Sequence, residues 1–157
     1  MGTVLLFVVA IPAFAQQQPE AECARTSGMR VYSNATYVEE AGDVVAIELA
    51  LSVRSDTSVT AFLYDYEGVP TTSFALLGHL SGKTLTIEGS WIQNLRDSSS
   101  KEVVRTVPVN VRGELDEKAF EGSVQIDAGK AQTVRLRPVD AIWFCRANSE
   151  VTANPRR

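Results

Sequence analysis

The feature that most constrains the fold of this chain is a period-two alternation of apolar and polar residues. Within residues 42–54, one face of the pattern holds Val45, Ile47, Leu49, Leu51 and Val53, and the other holds Ala46, Glu48, Ala50, Ser52 and Arg54. Alternation over this length predicts a β-strand with one buried face. No segment has an apolar stripe of helical spacing and helical length, so the sequence predicts an all-β protein.

The same alternation recurs along the chain and predicts further strands within residues 83–92, 103–111, 120–126 and 133–137. Four other segments are rich in strand-forming residues without a clean alternation: 29–38, 59–66, 72–80 and 141–145. Strands that are covered on both faces have this composition. Pro108 donates no ladder hydrogen bond, so it predicts a sheet edge or a bulge at its position.

Turn-forming residues separate these segments at short, regular intervals, as in Gly82 and the run 127–130. Strands joined in chain order by short turns form a meander. A meander of long strands closes most simply into a barrel, which removes the exposed sheet edges. We therefore predict an antiparallel meander barrel of about eight strands, with a two-sheet β-sandwich as the alternative.

The first fifteen residues differ from the rest of the chain. An uncharged apolar run ends at Pro12, and Ala13 and Ala15 supply the small residues that signal peptidase accepts. The run is too short to cross the hydrocarbon core of a bilayer, which needs about 20 apolar residues. We predict a signal peptide at 1–15 that is cleaved after Ala15, no membrane span after cleavage, and a secreted or periplasmic mature protein.

The remaining chain divides into a polar leader at 16–28, a single β domain at 29–146 and a disordered tail at 147–157. Two cysteines, Cys23 and Cys145, lie near the two ends of the mature chain. In an oxidising compartment, two cysteines predict one disulfide.

Charge and motifs exclude several functions. The formal net charge of -4 argues against a nucleic-acid partner, because phosphate binding needs clustered Lys and Arg. The lone histidine, His79, has no partner motif for a catalytic triad or a metal site, and we predict no metal and no cofactor. Asp65 and Glu67 share a strand face, so a carboxylate-dependent hydrolase is the alternative to a protein that is not an enzyme.

Aromatic residues are the most suggestive candidates for binding. Phe62, Tyr64 and Tyr66 form a stripe at strand spacing, and Trp91 shares the apolar face of its strand. Facing inward, such residues could hold a small apolar ligand in a barrel cavity lined by Leu49, Leu51, Leu85 and Ile87; facing outward, they could contact a protein partner. The sequence thus predicts an exported, non-catalytic binding protein, and it leaves these two modes open.

Overall fold

A computed structural model describes residues 18–67, 69–96 and 102–146 of this chain. Within these ranges, the side chains of 18–20, 67, 69–73, 91–96 and 102–103 are not described. The predicted signal peptide (1–15) and the predicted C-terminal tail (147–157) lie outside the described residues.

The described chain consists of one helix followed by nine strands. They are α1 (Gln18–Thr26), β1 (Arg30–Ser33), β2 (Thr36–Val38), β3 (Asp43–Val53), β4 (Ser58–Glu67), β5 (Val69–Ser81), β6 (Thr84–Arg96), β7 (Glu102–Leu115), β8 (Phe120–Ile126) and β9 (Gln132–Val139). The strands predicted from the alternation are confirmed, and β8 has the predicted bounds.

The strands form a closed antiparallel barrel of eight strands with one extra strand, which confirms the predicted fold. Each strand from β3 to β9 pairs with the next one along the chain. β1 closes the barrel, because it pairs with β3 on one side and with β9 on the other. β2 is the extra strand and pairs with β3.

β1 and β2 are two parts of one line of backbone along β3. The pairs Ser33–Glu48 and Thr36–Val45 belong to the same register. Between them, the Asn34 side-chain oxygen accepts the N–H of Ile47 at 2.7 Å, so an amide side chain takes over a ladder position. At this interruption the chain stays with β3 and leaves β9.

Apolar side chains of the described strand residues pack together in the barrel interior. The buried cluster is Tyr32, Ile47, Leu49, Leu51, Val59, Ala61, Leu63, Phe74, Leu76, Leu85, Ile87, Val109, Val111, Leu115, Phe120, Val124, Val134 and Leu136. The alternation had predicted these inward faces for β3, β6, β7, β8 and β9. Val45 and Val53 are exceptions: they share the inward face of β3 but are 54% and 41% exposed, because they lie near its two ends.

At one end of the barrel, each strand pairs with both of its neighbours, including β5 with β6. At the other end, neighbouring strands separate and the wall opens. We call the latter the open end. β9 pairs with β1 only from Arg137 to Val139, and β5 pairs with β6 only from Gly78 to Ser81. Pro108 lies one residue beyond the last β7–β8 pair, Val109–Ile126, so the predicted sheet edge at this proline is confirmed.

Two sequence predictions about the ends of the domain are wrong. Residues 141–145 are not a strand: residues 143–146 form a helical turn, in which the Ile142 carbonyl accepts the N–H groups of Cys145 and Arg146. No helix was predicted, yet the polar leader contains α1. Neither segment shows a helical stripe because each is short and rests on the barrel through only a few residues.

Candidate functional site

Two terminal segments cover the outer face of β3 and β4. They are α1 and residues 140–146, and we call them together the clasp. The disulfide Cys23–Cys145 joins them, with an S–S distance of 2.04 Å and a Cα–Cα distance of 5.7 Å, which confirms the predicted pairing. Beneath the clasp lies a second buried apolar cluster that includes Val44, Ala46, Ala50 and Ile142.

Glu48 is the central polar residue beneath the clasp. It lies on the polar face of the alternation and points outward, where a carboxylate usually meets solvent, but it is 0% exposed. Its two carboxylate oxygens accept the backbone N–H of Trp143 at 3.0 and 2.8 Å, and Oε1 also accepts from Nη2 of Arg146 at 2.9 Å. The barrel therefore binds the C-terminal part of the clasp through one buried carboxylate.

Tyr64 and Tyr66 point outward from β4 and are each 1% exposed under the clasp. The Tyr64 hydroxyl donates to Oε2 of Glu22 on α1 at 2.8 Å. Burial raises the pKa of Tyr64 above its usual value, and the hydrogen bond to Glu22 raises it further. Burial also raises the pKa of Tyr66, with the charge of Glu48 as the next cause.

The other two predicted binding aromatics lie apart. Phe62 is half-buried at the margin of the clasp, and the Arg25 guanidinium lies 5.4 Å from the centre of its ring. The backbone of Trp91 lies in β6 opposite Val107, and its side chain is outside the described part of the structure. The structure brings Phe62, Tyr64 and Tyr66 together on the outer wall, where the clasp covers them, and their role in binding stays a prediction.

The residues that would line an internal ligand cavity are in contact with the rest of the core. Leu49, Leu85 and Ile87 are each 0% exposed, and Leu51 is 2% exposed. They belong to one packed cluster with aromatic residues from opposite walls, Phe74 and Phe120. The described side chains at these four positions are thus part of a packed core.

A cleft of about 270 Å³ opens where β2 and β9 part at the open end. Its lining is Asn34, Thr36, Val45, Ala46, Ile47, Asp65, Tyr66 and Gln132. Asp65 is the one acid of this lining, and the side chain of Glu67 is outside the described part, so the carboxylate pair stays a prediction. Among the described residues, no three His, Cys, Asp or Glu side chains lie close enough together to hold a metal ion.

Two exposed apolar side chains flank this cleft. Tyr37 on β2 and Val45 on β3 are each 54% exposed. They lie on opposite faces of the sheet, because Tyr37 pairs with Val44 and shares its outward face, whereas Val45 shares the inward face of β3. The sequence did not single out Tyr37, because the segment 29–38 has mixed faces. The signal that could have revealed it is the Asn34-Ala35 step, at which an otherwise regular strand is interrupted.

The described residues contain no helix with the length and apolar character needed to cross a bilayer. Comparison with models of protein families, with curated proteins and with solved structures gives no significant match for this chain.

Proposed function

We propose that this chain is an exported, non-catalytic binding protein that acts through a protein partner on its outer surface. One observation carries the proposal: the described apolar side chains of the barrel interior pack against one another, while Tyr37 lies 54% exposed on the outer face beside the cleft at the open end. A large exposed aromatic side chain beside a cleft is typical of protein-binding surfaces. The disulfide Cys23–Cys145 supports export, because such bonds persist in oxidising compartments.

The second predicted mode, a small apolar ligand inside the barrel, has less support. A ligand of this kind needs a cavity, and Leu49, Leu85 and Ile87 are instead packed with neighbours from the opposite wall. Opening such a cavity would break contacts throughout the core, at a cost of the order of 1 kcal/mol for each displaced methylene.

Site-specific photo-cross-linking in the producing cells tests the proposal. A benzophenone amino acid replaces Tyr37 in one strain and Leu77 in the control strain. Leu77 is the more exposed of the two, at 73%, but it lies on β5, away from the cleft. We expect one discrete adduct with another protein from position 37 and none from position 77.

The same material reports on the competing mode. Native mass spectrometry of the exported protein should give the mass of the mature chain alone, begun after Ala15 and containing one disulfide. A bound small apolar molecule in that spectrum, or the absence of any adduct at position 37, would contradict the proposal.

A further inference from the structure

From the backbone of the open end, we infer that the partner binds by adding an extended strand to β9, in the gap between β9 and β2. We call this gap the seam. The inference rests on the proposed function, since it specifies how the protein partner is held. It commits to one occupant, a single extended segment of another protein.

The direction of the backbone groups follows from the measured hydrogen bonds. The N–H of Asn34 donates to the carbonyl of Ile47 on β3 at 3.3 Å. Because N–H and C=O groups alternate sides along a strand, the odd-numbered residues of β1 and β2 direct these groups away from β3. Tyr37 therefore presents its backbone groups to the seam.

The opposite wall of the seam presents unpaired groups as well. Arg137 pairs with Ser33, so Arg137 directs its backbone groups toward β1, and Arg135 and Thr133 direct theirs the same way. The β1–β9 ladder ends at Arg137, and no strand in the described ranges pairs with Arg135 or Thr133 on that side. Both residues keep their positions in the barrel, because they pair with Glu121 and Ser123 of β8 on the other side.

An exposed strand edge is complementary to another extended backbone, which can pair with its free N–H and C=O groups. The cleft beneath the seam gives room for an inward-facing side chain of the added strand. Its lining is mixed: Asn34, Thr36, Asp65 and Gln132 are polar, and Val45 and Ile47 are apolar. The outward-facing side chains of the added strand would lie beside Tyr37, so we expect a polar or basic residue inward and an apolar residue outward.

The seam does not fit a second copy of this chain. The edge of β9 is recessed, because β1 remains paired to β9 immediately below it and β2 faces it across the cleft. The β9 of another barrel is flanked in the same way, so the neighbouring strands of both barrels would obstruct the approach of two such edges. The opening between β5 and β6 is also a poorer site, since the Leu76 side chain lies against the backbone of Gly89 there.

The test combines the cross-link at position 37 with a matched pair of substitutions on β9. Thr133→Pro removes one N–H from the seam and leaves the β8–β9 hydrogen bonds intact, whereas Thr133→Val keeps the N–H. We expect Thr133→Pro to lower the yield of the adduct about tenfold, since the lost bond leaves a buried carbonyl of the partner unpaired. Thr133→Val should change the yield less than about twofold.

Amide hydrogen exchange gives a second measurement that does not depend on the variants. In the isolated protein, the amides of Thr133 and Arg135 should exchange faster than those of Val134 and Leu136, which bond to β8. A synthetic peptide with the sequence mapped in the adduct should slow the exchange at Thr133 and Arg135.

The outcomes separate the two proposals. An adduct that is unaffected by Thr133→Pro, or a peptide that leaves the exchange at Thr133 and Arg135 unchanged, overturns strand addition while the protein partner stands. An adduct with a second copy of this chain overturns the stated occupant. The absence of any adduct at position 37 removes the proposed function itself.

Discussion

At the scale of single residues, the most consequential side chain is the carboxylate of Glu48. It is fully buried on a face that usually meets solvent, and it is the acceptor for both Trp143 and Arg146. A buried ion pair contributes little when intact, because the loss of hydration offsets the attraction between the charges. Removing the carboxylate is costly, because the part-buried N–H of Trp143 loses its acceptor and Arg146 loses its ion pair.

We therefore expect Glu48→Ala to lower the free energy of unfolding by roughly 3 kcal/mol, as measured by urea denaturation. Glu88→Ala is the matched control on an exposed outward position of β6, and it should change stability by less than about 0.5 kcal/mol. Equal effects of the two substitutions would contradict the burial of Glu48.

The raised pKa values of Tyr64 and Tyr66 predict a loss of stability at alkaline pH. Their ordinary pKa is 10.0, and both are higher in the folded protein because of burial. Below pH 10.0 the folded and unfolded states both keep these protons. Above it the unfolded chain loses them first, so the free energy of unfolding falls as pH rises.

Urea denaturation between pH 8 and pH 12 should show this fall, and the double variant Tyr64→Phe/Tyr66→Phe should show a flatter profile. At neutral pH, Tyr64→Phe alone should cost about 1 kcal/mol through the lost hydrogen bond to Glu22. Tyr37→Phe removes a hydroxyl from an exposed site and serves as the control. A double variant with the parent's alkaline profile would refute this assignment.

At the scale of elements, the hairpin of β7 and β8 depends on two facing glycines. Gly113 and Gly122 are paired, and a Cβ on Gly122 would lie 2.3 Å from the Arg112 carbonyl oxygen and 2.6 Å from the Cα of Gly113. The ring of Phe120 also lies against both positions. Only the absence of side chains lets the two backbones and this ring approach so closely.

We expect Gly122→Ala to lower the free energy of unfolding by about 2–3 kcal/mol, because the contacts are with backbone that must shift. Ser123→Ala, one residue along the same strand, should stay within about 0.5 kcal/mol of the parent. Thermal unfolding of the purified proteins measures both, and a tolerated Gly122→Ala would show that the two strands are further apart than described.

The strands were predictable because a sheet with one buried face has apolar residues at every second position of its strands, as at Leu49 and Leu51. The clasp on the outer wall could not be predicted, because the alternation reports which residues share a face and not what lies on that face. Two weak signals were present: the small residues Ala46 and Ala50 on either side of Glu48 on the outward face, and apolar or aromatic residues on both faces of β4. The alternation of apolar and polar residues does not predict the seam, because the seam begins where the backbone pairing between β1 and β9 stops, next to Asn34.

At the scale of the whole molecule, the protein is a barrel whose strands and core would be complete without the clasp. The barrel core draws on Tyr32 and β3–β9, whereas the clasp contacts only the outer wall and is held by the disulfide, Glu48 and Ile142. Two cooperative units of different stability are the expected result, with the clasp opening before the barrel.

Reduction of Cys23–Cys145 tests this division. The bond joins residues 122 apart, and in the chain-entropy model its loss destabilises the fold by about 5 kcal/mol. We expect Cys23→Ser/Cys145→Ser to reproduce the effect of reductant and to be insensitive to further reductant.

In the variant, amide exchange should quicken first in α1 and in residues 143–146, while the amides of β3–β9 stay protected and the far-ultraviolet circular dichroism of the barrel persists. The hydration that Glu48 regains on opening offsets part of the cost of losing its bonds to Trp143 and Arg146. If the amides of α1 and of the barrel instead exchange together with one opening free energy, the clasp is part of the barrel's own cooperative unit and the two-unit description fails.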